Sequence, residues 1–274
     1  MIGGSIALAL RARGAVVRGV SRSETTIARA LELGAVERAS TDLRGEVPEA
    51  GLIILAAPVR TSIALLGEIG AQARPGTVVT DVCSSKREVV EAMDALPEAL
   101  GAVGGHPMAG KETAGIGAAQ PDLFRDTTWV LSESTRTNPA ARAVCETLVG
   151  LCGANALWVG AGEHDQAVAA ISHLPLLTAA ALVLAAEASG SELVWQLASS
   201  GFRDSTRLAA GNERMEADLL LTNRAQVAAA QRRFSQQLEA LLQACKAGDD
   251  SELCGLLAKA ARRRRALYGG NQPA

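Results

Sequence analysis

The spacing of apolar residues changes character once along the chain. In the first half, short β-branched or apolar runs alternate with stretches of helical spacing; in the second half only helical spacing persists. Residues 16–20 (Val-Val-Arg-Gly-Val) read as a strand, and residues 24–33 as a helix closed by Gly34. Residues 51–57 form a continuous apolar run ended by Pro58, the pattern of a strand covered on both faces. A helical stretch follows to about residue 73, Pro75-Gly76 turns the chain, and residues 77–81 predict another strand. Residues 85–96 are helical again, and residues 127–131 and 155–159 extend the sheet around a helix over 138–151. Such alternation implies a parallel sheet flanked by helices.

After Gly160-Ala161-Gly162 the pattern predicts no strand. Ala/Leu/Gln/Glu-rich stretches dominate from Glu163, broken near Ser189-Gly190, Gly201, Gly211 and Gly248. The expected fold is an α/β Rossmann-like nucleotide-binding domain (1–160) followed by an all-helical domain (161–274). Several apolar helices carry small residues on one face, which suits packing within one subunit or against a second copy equally well. A length of 274 residues with 48% hydrophobic residues allows two domains.

Composition narrows the function classes. A net charge of -2 steers the chain toward neither nucleic acid nor an anionic membrane. The run Arg262–Arg265 reads as a solvated helix end, the alternative being a phosphate or membrane contact. The five cysteines are scattered without a C-x-x-C pair, so neither a disulfide framework nor a thiolate zinc site is expected. The most apolar stretch, 167–188, carries Ser172, His173, Pro175 and Thr178 and reads as a buried helix, not a membrane span. With no basic-then-apolar leader at its start, the protein is expected in the cytoplasm.

The first residues bear on a cofactor. Met1-Ile2-Gly3-Gly4-Ser5 opens a helical run over 6–13, then Gly14 and a strand follow. A dinucleotide fingerprint places G-x-G-x-x-G between a strand and a helix, its last glycine permitting close helix–strand packing. Gly3 fits that last position, with Gly4 and Ser5 beside it. The first strand and first two glycines are then expected upstream, with the full chain beginning roughly ten residues earlier. A plain helix start with Ser5 in its first turn accounts for the same residues. Past the next strand come Ser21, Arg22 and Ser23, with no carboxylate before Glu24. Two hydroxyls and a guanidinium suit the 2′-phosphate of NADP, whereas an acid there would favour NAD.

Of three histidines, His106 follows an apolar segment and is expected in a loop at a strand's carboxyl end, where open α/β sheets bind ligands. A histidine there serves as a general base near neutral pH, or simply satisfies loop carbonyls. Ser84 ends another strand and either offers its hydroxyl to that crevice or caps the next helix. His164 reads as a helix-start residue. His164 and His173 are nine positions apart, on opposite faces of one helix, so no metal pair is expected. His173 reads as a core histidine or a site residue. Between Gly201 and Arg207, Arg203 and Arg207 near a glycine turn suit a dicarboxylate or a surface turn.

Taken together, Gly105-His106-Pro107-Met108-Ala109-Gly110, the segment 81–86, His164-Asp165-Gln166, Ser172-His173-Leu174-Pro175 and the segment Gly201 through Arg207 resemble the prephenate/arogenate dehydrogenases, in their order and over essentially the whole chain. The resemblance implies a helical domain that forms a homodimer. It implies that His106 handles a ring hydroxyl with Ser84 beside it, and that Arg207, His173 and the Gly201 turn fix the substrate. The implied reaction is oxidative decarboxylation of arogenate with hydride transfer to NADP; prephenate is the alternative substrate, and a non-catalytic dimerising remnant the alternative from another class. A β-hydroxyacid dehydrogenase, which depends on a lysine in its helical domain, is disfavoured because none occurs between Glu163 and Gln243.

Overall fold

The computed structural model describes residues 1–110, 113 and 115–269. By internal contacts the chain divides into Met1–Arg224 and Ala225–Ala274.

The first unit opens with helix α1 (Ile2–Arg11), strand β1 (Arg18–Val20), helix α2 (Glu24–Glu32), strand β2 (Arg38–Ser40) and the short helix α3 (Leu43–Glu46). Then come β3 (Leu52–Leu55), α4 (Val59–Gln72), β4 (Val78–Asp81), α5 (Arg87–Asp94), β5 (Gly101–Pro107), β6 (Thr128–Glu133), α6 (Pro139–Leu151) and β7 (Asn155–Trp158). Strands β1 and β2 form a parallel pair, and β3 to β7 form a five-stranded sheet in chain order. Pairing in the larger sheet is parallel from β3 to β5; β6 runs antiparallel to β5, and β7 parallel to β6. Among the described residues, β1 and β3 each pair on one side only.

Period-two alternation explains why the strands read as unbroken apolar runs. Val78 and Val103 join a core with Ile6 and Ala9 of α1 and Cys145 and Leu148 of α6. Their neighbours Val79 and Ala102 join a second core with Leu66 and Ile69 of α4 and Val89 and Met93 of α5. Both faces of β4 and β5 are therefore covered, and the buried polar side chains they carry toward their carboxyl ends, Thr80 and Asp81 of β4, are exceptions to the apolar run. Residues 38–40 (Arg-Ala-Ser) carry no such run, which is why the apolar pattern gives no sign of β2. Its register sets Arg38 opposite Arg18, and the buried carboxylate of Glu46 pairs with both guanidinia.

Helices alone follow in the described residues: α7 (Ala161–Val168), a π-helical turn (Ala169–His173), α8 (Leu174–Glu187), α9 (Glu192–Leu197), α10 (Ser200–Thr206), a 3-10 turn (Arg207–Ala210) and α11 (Glu213–Thr222). Pro175 sits in the first turn of α8 directly after the wide turn, as expected where a proline cannot donate to the preceding ladder. The sequence pattern predicts a buried helix here, and the structure differs. Only Leu176 and Ala179 of α8 are buried, while Leu184 is 67% exposed. One chain supplies too few apolar neighbours to cover a helix that is apolar on all sides. The stretch Ala161–Glu187 is also long and apolar enough to cross a membrane by length and composition, contrary to expectation. It nevertheless carries His164, Asp165 and His173, all buried and hydrogen-bonded within the chain.

The second unit contains helix α12 (Arg224–Ala247), nearly all of which lies in it, and helix α13 (Asp250–Tyr268). Gly248 takes the left-handed conformation (φ 66) that ends α12, and the Asp249 side chain accepts the Glu252 N–H to start α13. The arginine run lies at the carboxyl end of α13, with Arg264 stacked on Tyr268.

Candidate active site

Asp81, the last residue of β4, organises the carboxyl end of the sheet. It is fully buried, as is Lys86, and the two form an ion pair. Its Oδ1 accepts the Gly105 N–H at 2.9 Å, and its Oδ2 accepts the Cys83 N–H at 2.8 Å as well as the Lys86 ammonium. One carboxylate thus joins β4, the turn after it and β5. A side chain at position 105 would place its Cβ 2.4 Å from the Asp81 carbonyl oxygen, so the strand approaches this closely only because the residue is glycine. The buried Cys83 thiol is pushed up to about 12 by burial and by the Asp81 charge, which makes it inert as a nucleophile.

His106 comes next. The pattern places it in a loop, but it lies inside β5, with its backbone opposite Val130 of β6. Gly104-Gly105 looks like a strand breaker, whereas here it permits close packing, and antiparallel pairing with β6 carries the strand on to Pro107. The His106 ring is half-buried, with Nδ1 2.8 Å from Nε2 of His164. The His164 Nδ1 is 2.8 Å from Oδ1 of Asp165. Asp165 also accepts the backbone N–H of Lys86 (2.7 Å) and of Arg87 (2.9 Å), which ties α7 to the first turn of α5. His164 is therefore not a surface helix-start residue: it is 3% exposed and bonded to His106.

Burial, with the Lys86 cation and the neighbouring His164 and His173 adding to it, holds His106 well below the usual histidine range. It is neutral at pH 7. Burial pushes the Asp165 carboxyl upward, but hydrogen bonds from His164, Arg87 and Lys86 outweigh that and hold it below its ordinary value. Asp165 is a carboxylate.

His173 lies at the end of the π-helical turn and is fully buried. The expectation of opposite faces presumed an unbroken α-helix, whereas the wide turn changes the phase between His164 and His173. Asn223 joins the two regions: its Nδ2 donates to the Asp165 carbonyl (2.8 Å) and lies 3.1 Å from His173 Nδ1. Both amide hydrogens are then used, so His173 accepts at Nδ1 and carries its proton on Nε2. That Nε2 is buried and has no protein partner among the described residues. Burial lowers His173 to about 4, the Asp165 charge opposing and His164 reinforcing the shift.

The other expected site residues divide. Ser84 is half-buried in the turn between β4 and α5, and its neighbour Ser85 bonds Thr222 Oγ1 at 2.9 Å. Gly201 and Arg207 are exposed, on α10 and on the 3-10 turn that packs along α8. On the nucleotide side, added Cβ atoms at Gly3 and Gly4 would meet Ala56 Cβ at 2.7 Å and Ile116 Cδ1 at 2.2 Å. Ser5 is buried, donating to the Met1 carbonyl and accepting the Gln120 N–H. Ser21 Oγ accepts the Ser23 N–H, and Ser23 Oγ caps α2 through the Thr26 N–H. Arg22 is exposed and shows no ion pair among the described residues. That loop, with its unpaired guanidinium and no acid before Glu24, fits a nucleotide phosphate. Among the described residues, no cluster of three or more His, Cys, Asp or Glu is placed to hold a metal.

These features define the class: a Rossmann-like nucleotide-binding domain followed by a helical domain, with a histidine network at the carboxyl end of the sheet. The chain belongs to the prephenate dehydrogenase family. Residues 6–157 match the family's nucleotide-binding domain, and residues 160–259 match its dimerization domain. Prephenate dehydrogenase of Bacillus subtilis is 34% identical over 230 residues, covering 82% of this chain and 62% of that protein, so this chain spans under two thirds of that relative's length. Synechocystis arogenate dehydrogenase is 32% identical, with a TM-score of 0.83 over 97% of this chain and 96% of that one. Prephenate dehydrogenase from A. aeolicus, solved with hydroxyphenyl propionate and NAD+, is 25% identical, with a TM-score of 0.91 over 97% of this chain and 94% of that one.

Proposed function

We propose that the protein is an NADP-dependent cytoplasmic dehydrogenase that oxidatively decarboxylates arogenate to tyrosine, acting as a homodimer through a helical domain that begins near residue 161. The observation that carries the reading is the neutral, half-buried His106 at the carboxyl end of β5, with its Nδ1 already engaged by His164. His106 accepts the proton of the ring hydroxyl at Nε2 as the carbon bearing it gives up hydride, carbon dioxide leaves the opposite ring carbon, and the ring becomes aromatic. When bound, the nicotinamide supplies the hydride acceptor. Aromatisation drives the reaction, so the protein's main tasks are alignment and the removal of one proton.

Arg207 and the Nε2–H of His173 are suited to carboxylate oxygens, His173 because its proton is otherwise unmet. Ser84 contributes a hydroxyl beside His106, and Gly201, which lies in the first turn of α10 and not in the glycine turn expected from the sequence, leaves room for the side chain. The Glu216 carboxyl lies against Gly211, directly after the turn that bears Arg207. Burial and the neighbouring Glu213 raise its pKa, a repulsion that an ammonium would relieve. A cation and an anion on one segment suit an α-amino acid better than an α-keto acid, which supports arogenate. Gly3, Gly4 and Ser5 shape the first helix on the nucleotide side, and Ser21, Arg22 and Ser23 receive the 2′-phosphate.

Formation of NADPH or NADH is measured with arogenate and prephenate offered in turn. Turnover of arogenate with NADP and little with NAD supports the whole reading. Turnover of prephenate with NAD supports the second reading, favoured by the naming of the Bacillus and A. aeolicus proteins. No turnover with any pair removes the catalytic reading.

A further inference from the structure

We propose that His164 and Asp165 are positioning residues that fix His106 in one tautomer, proton on Nδ1 and lone pair on Nε2, and share the charge His106 acquires. The inference rests on His106 being the base. The assignment follows from counting donors and acceptors outward from Asp165. Asp165 is an ionised carboxylate, an acceptor only, and two of its bonds come from the backbone N–H groups of Lys86 and Arg87. Its contact with His164 at 2.8 Å therefore requires the His164 proton on Nδ1. In a neutral His164 the Nε2 then has only a lone pair, so the 2.8 Å contact with His106 places the His106 proton on Nδ1. The single basic nitrogen left on His106 is Nε2.

Proton transfer stays within this chain of residues. The hydroxyl proton bonds to His106 Nε2, and the electron pair of the broken O–H bond remains on the substrate oxygen. The resulting imidazolium keeps its Nδ1–H toward His164, whose Nδ1–H faces the Asp165 carboxylate. The other charged group near His106, the Lys86 ammonium, is committed to Asp81 and opposes a cation at His106. His173 adds repulsion only when protonated, which begins near its pKa of about 4. The Asp165 charge, reached through His164, is therefore the favourable term against that repulsion. A purely structural Asp165, capping the start of α5, would need neither the second histidine nor its alignment with His106.

The test begins with the unmodified protein, in which nitrogen-15 labelling of three histidines gives a sparse spectrum. Long-range proton–nitrogen correlations distinguish the tautomers near pH 7.5, and assignment uses the His164→Gln and His173→Gln variants. Protons on Nδ1 of both His106 and His164, with His173 protonated on Nε2, support the proposal; His106 protonated on Nε2 overturns it. Asp165→Asn should lower kcat by on the order of a hundredfold, with KM changed by less than about threefold. An Asp165→Asn protein with kcat within about twofold of the parent overturns the charge-sharing role. His164→Gln, whose carbonyl can still accept from His106, keeps the Nδ1–H signal, whereas His164→Leu loses it; identical spectra for the two would also overturn the assignment. The tautomer measurement needs no substrate, so a protein with the expected spectrum and no turnover would remove the proposed function and leave the tautomer standing.

Discussion

The two sides of the candidate site are built differently. Around His106, side chains are buried and mutually bonded: Asp81 with Lys86, Gly105 and Cys83, Asp165 with His164, Lys86 and Arg87, and Asn223 with His173. On the nucleotide side, Arg22 is exposed, and Ser23 is committed to capping α2. The first side is preorganised and its polar groups are part of the fold. On the second, Arg22 is an exposed side chain that costs little to remove. Substitutions on the first side should therefore cost stability and turnover together, and replacement of Arg22 should change binding alone.

The sharpest contrast should come from Lys86. Replacing it with Met leaves the Asp81 carboxylate buried without its cation, and breaking such a pair costs about 3–5 kcal/mol. Urea unfolding should show that loss, while Arg22→Ala leaves the unfolding free energy within about 0.5 kcal/mol of the parent. A Lys86→Met protein as stable as the parent would erase the distinction between the two sides.

Acid should separate them next. His173 is lowered from its ordinary 6.5 to about 4, by burial above all. An unfolded chain takes up that proton as pH falls through 6.5, while the folded protein does not until about 4. Stability from this residue is thus complete above pH 6.5 and is lost between there and pH 4, amounting to about 3 kcal/mol. His106, also lowered, works in the same direction. Denaturation midpoints between pH 7 and 4 should fall steeply for the parent and less steeply for His173→Gln.

His106→Asn should lower turnover by on the order of a hundredfold or more, the scale of a lost general base. Cofactor affinity, read by fluorescence titration with NADPH, should stay near that of the parent. Full turnover in the variant would remove His106 from the chemistry.

What the sequence revealed follows the same division. Strands β3, β4 and β6, helices α2, α4 and α6, and the change to helices after residue 160 were legible because burial on both faces leaves an unbroken apolar run or a helical period. Strand β2 was not, because its three residues are held by pairing with β1 and by Glu46. His106 was legible as a chemical residue but not as a strand residue, since Gly105, required by the Asp81 carbonyl, and Gly104, packed against Val90, look like breakers. His164 and Asp165 were visible as polar residues opening a helix and as part of one family motif, but without a role; their burial depends on α5 and β5, which lie far from them in sequence. Asn223 gave no signal at all, because its partners are 58 and 50 residues away. A resemblance carried by short motifs names residues, but it does not say which are joined.

The nucleotide side yields the smallest effect and the most specific one. Arg22 lies two residues past the end of β1, no acid comes between the strand and Glu24, and the cap bond of Ser23 holds the loop at the α2 N-terminus. If the loop receives a 2′-phosphate, Arg22→Ala removes one charge-assisted contact, worth about 1.5–3 kcal/mol, and should raise KM for NADP about tenfold or more. KM for NAD, which lacks that phosphate, should barely change, and neither should kcat with either cofactor. A variant weakened equally toward both would mean that Arg22 supports the loop and does not read the phosphate. The preference would then have to arise elsewhere along β1 and α2.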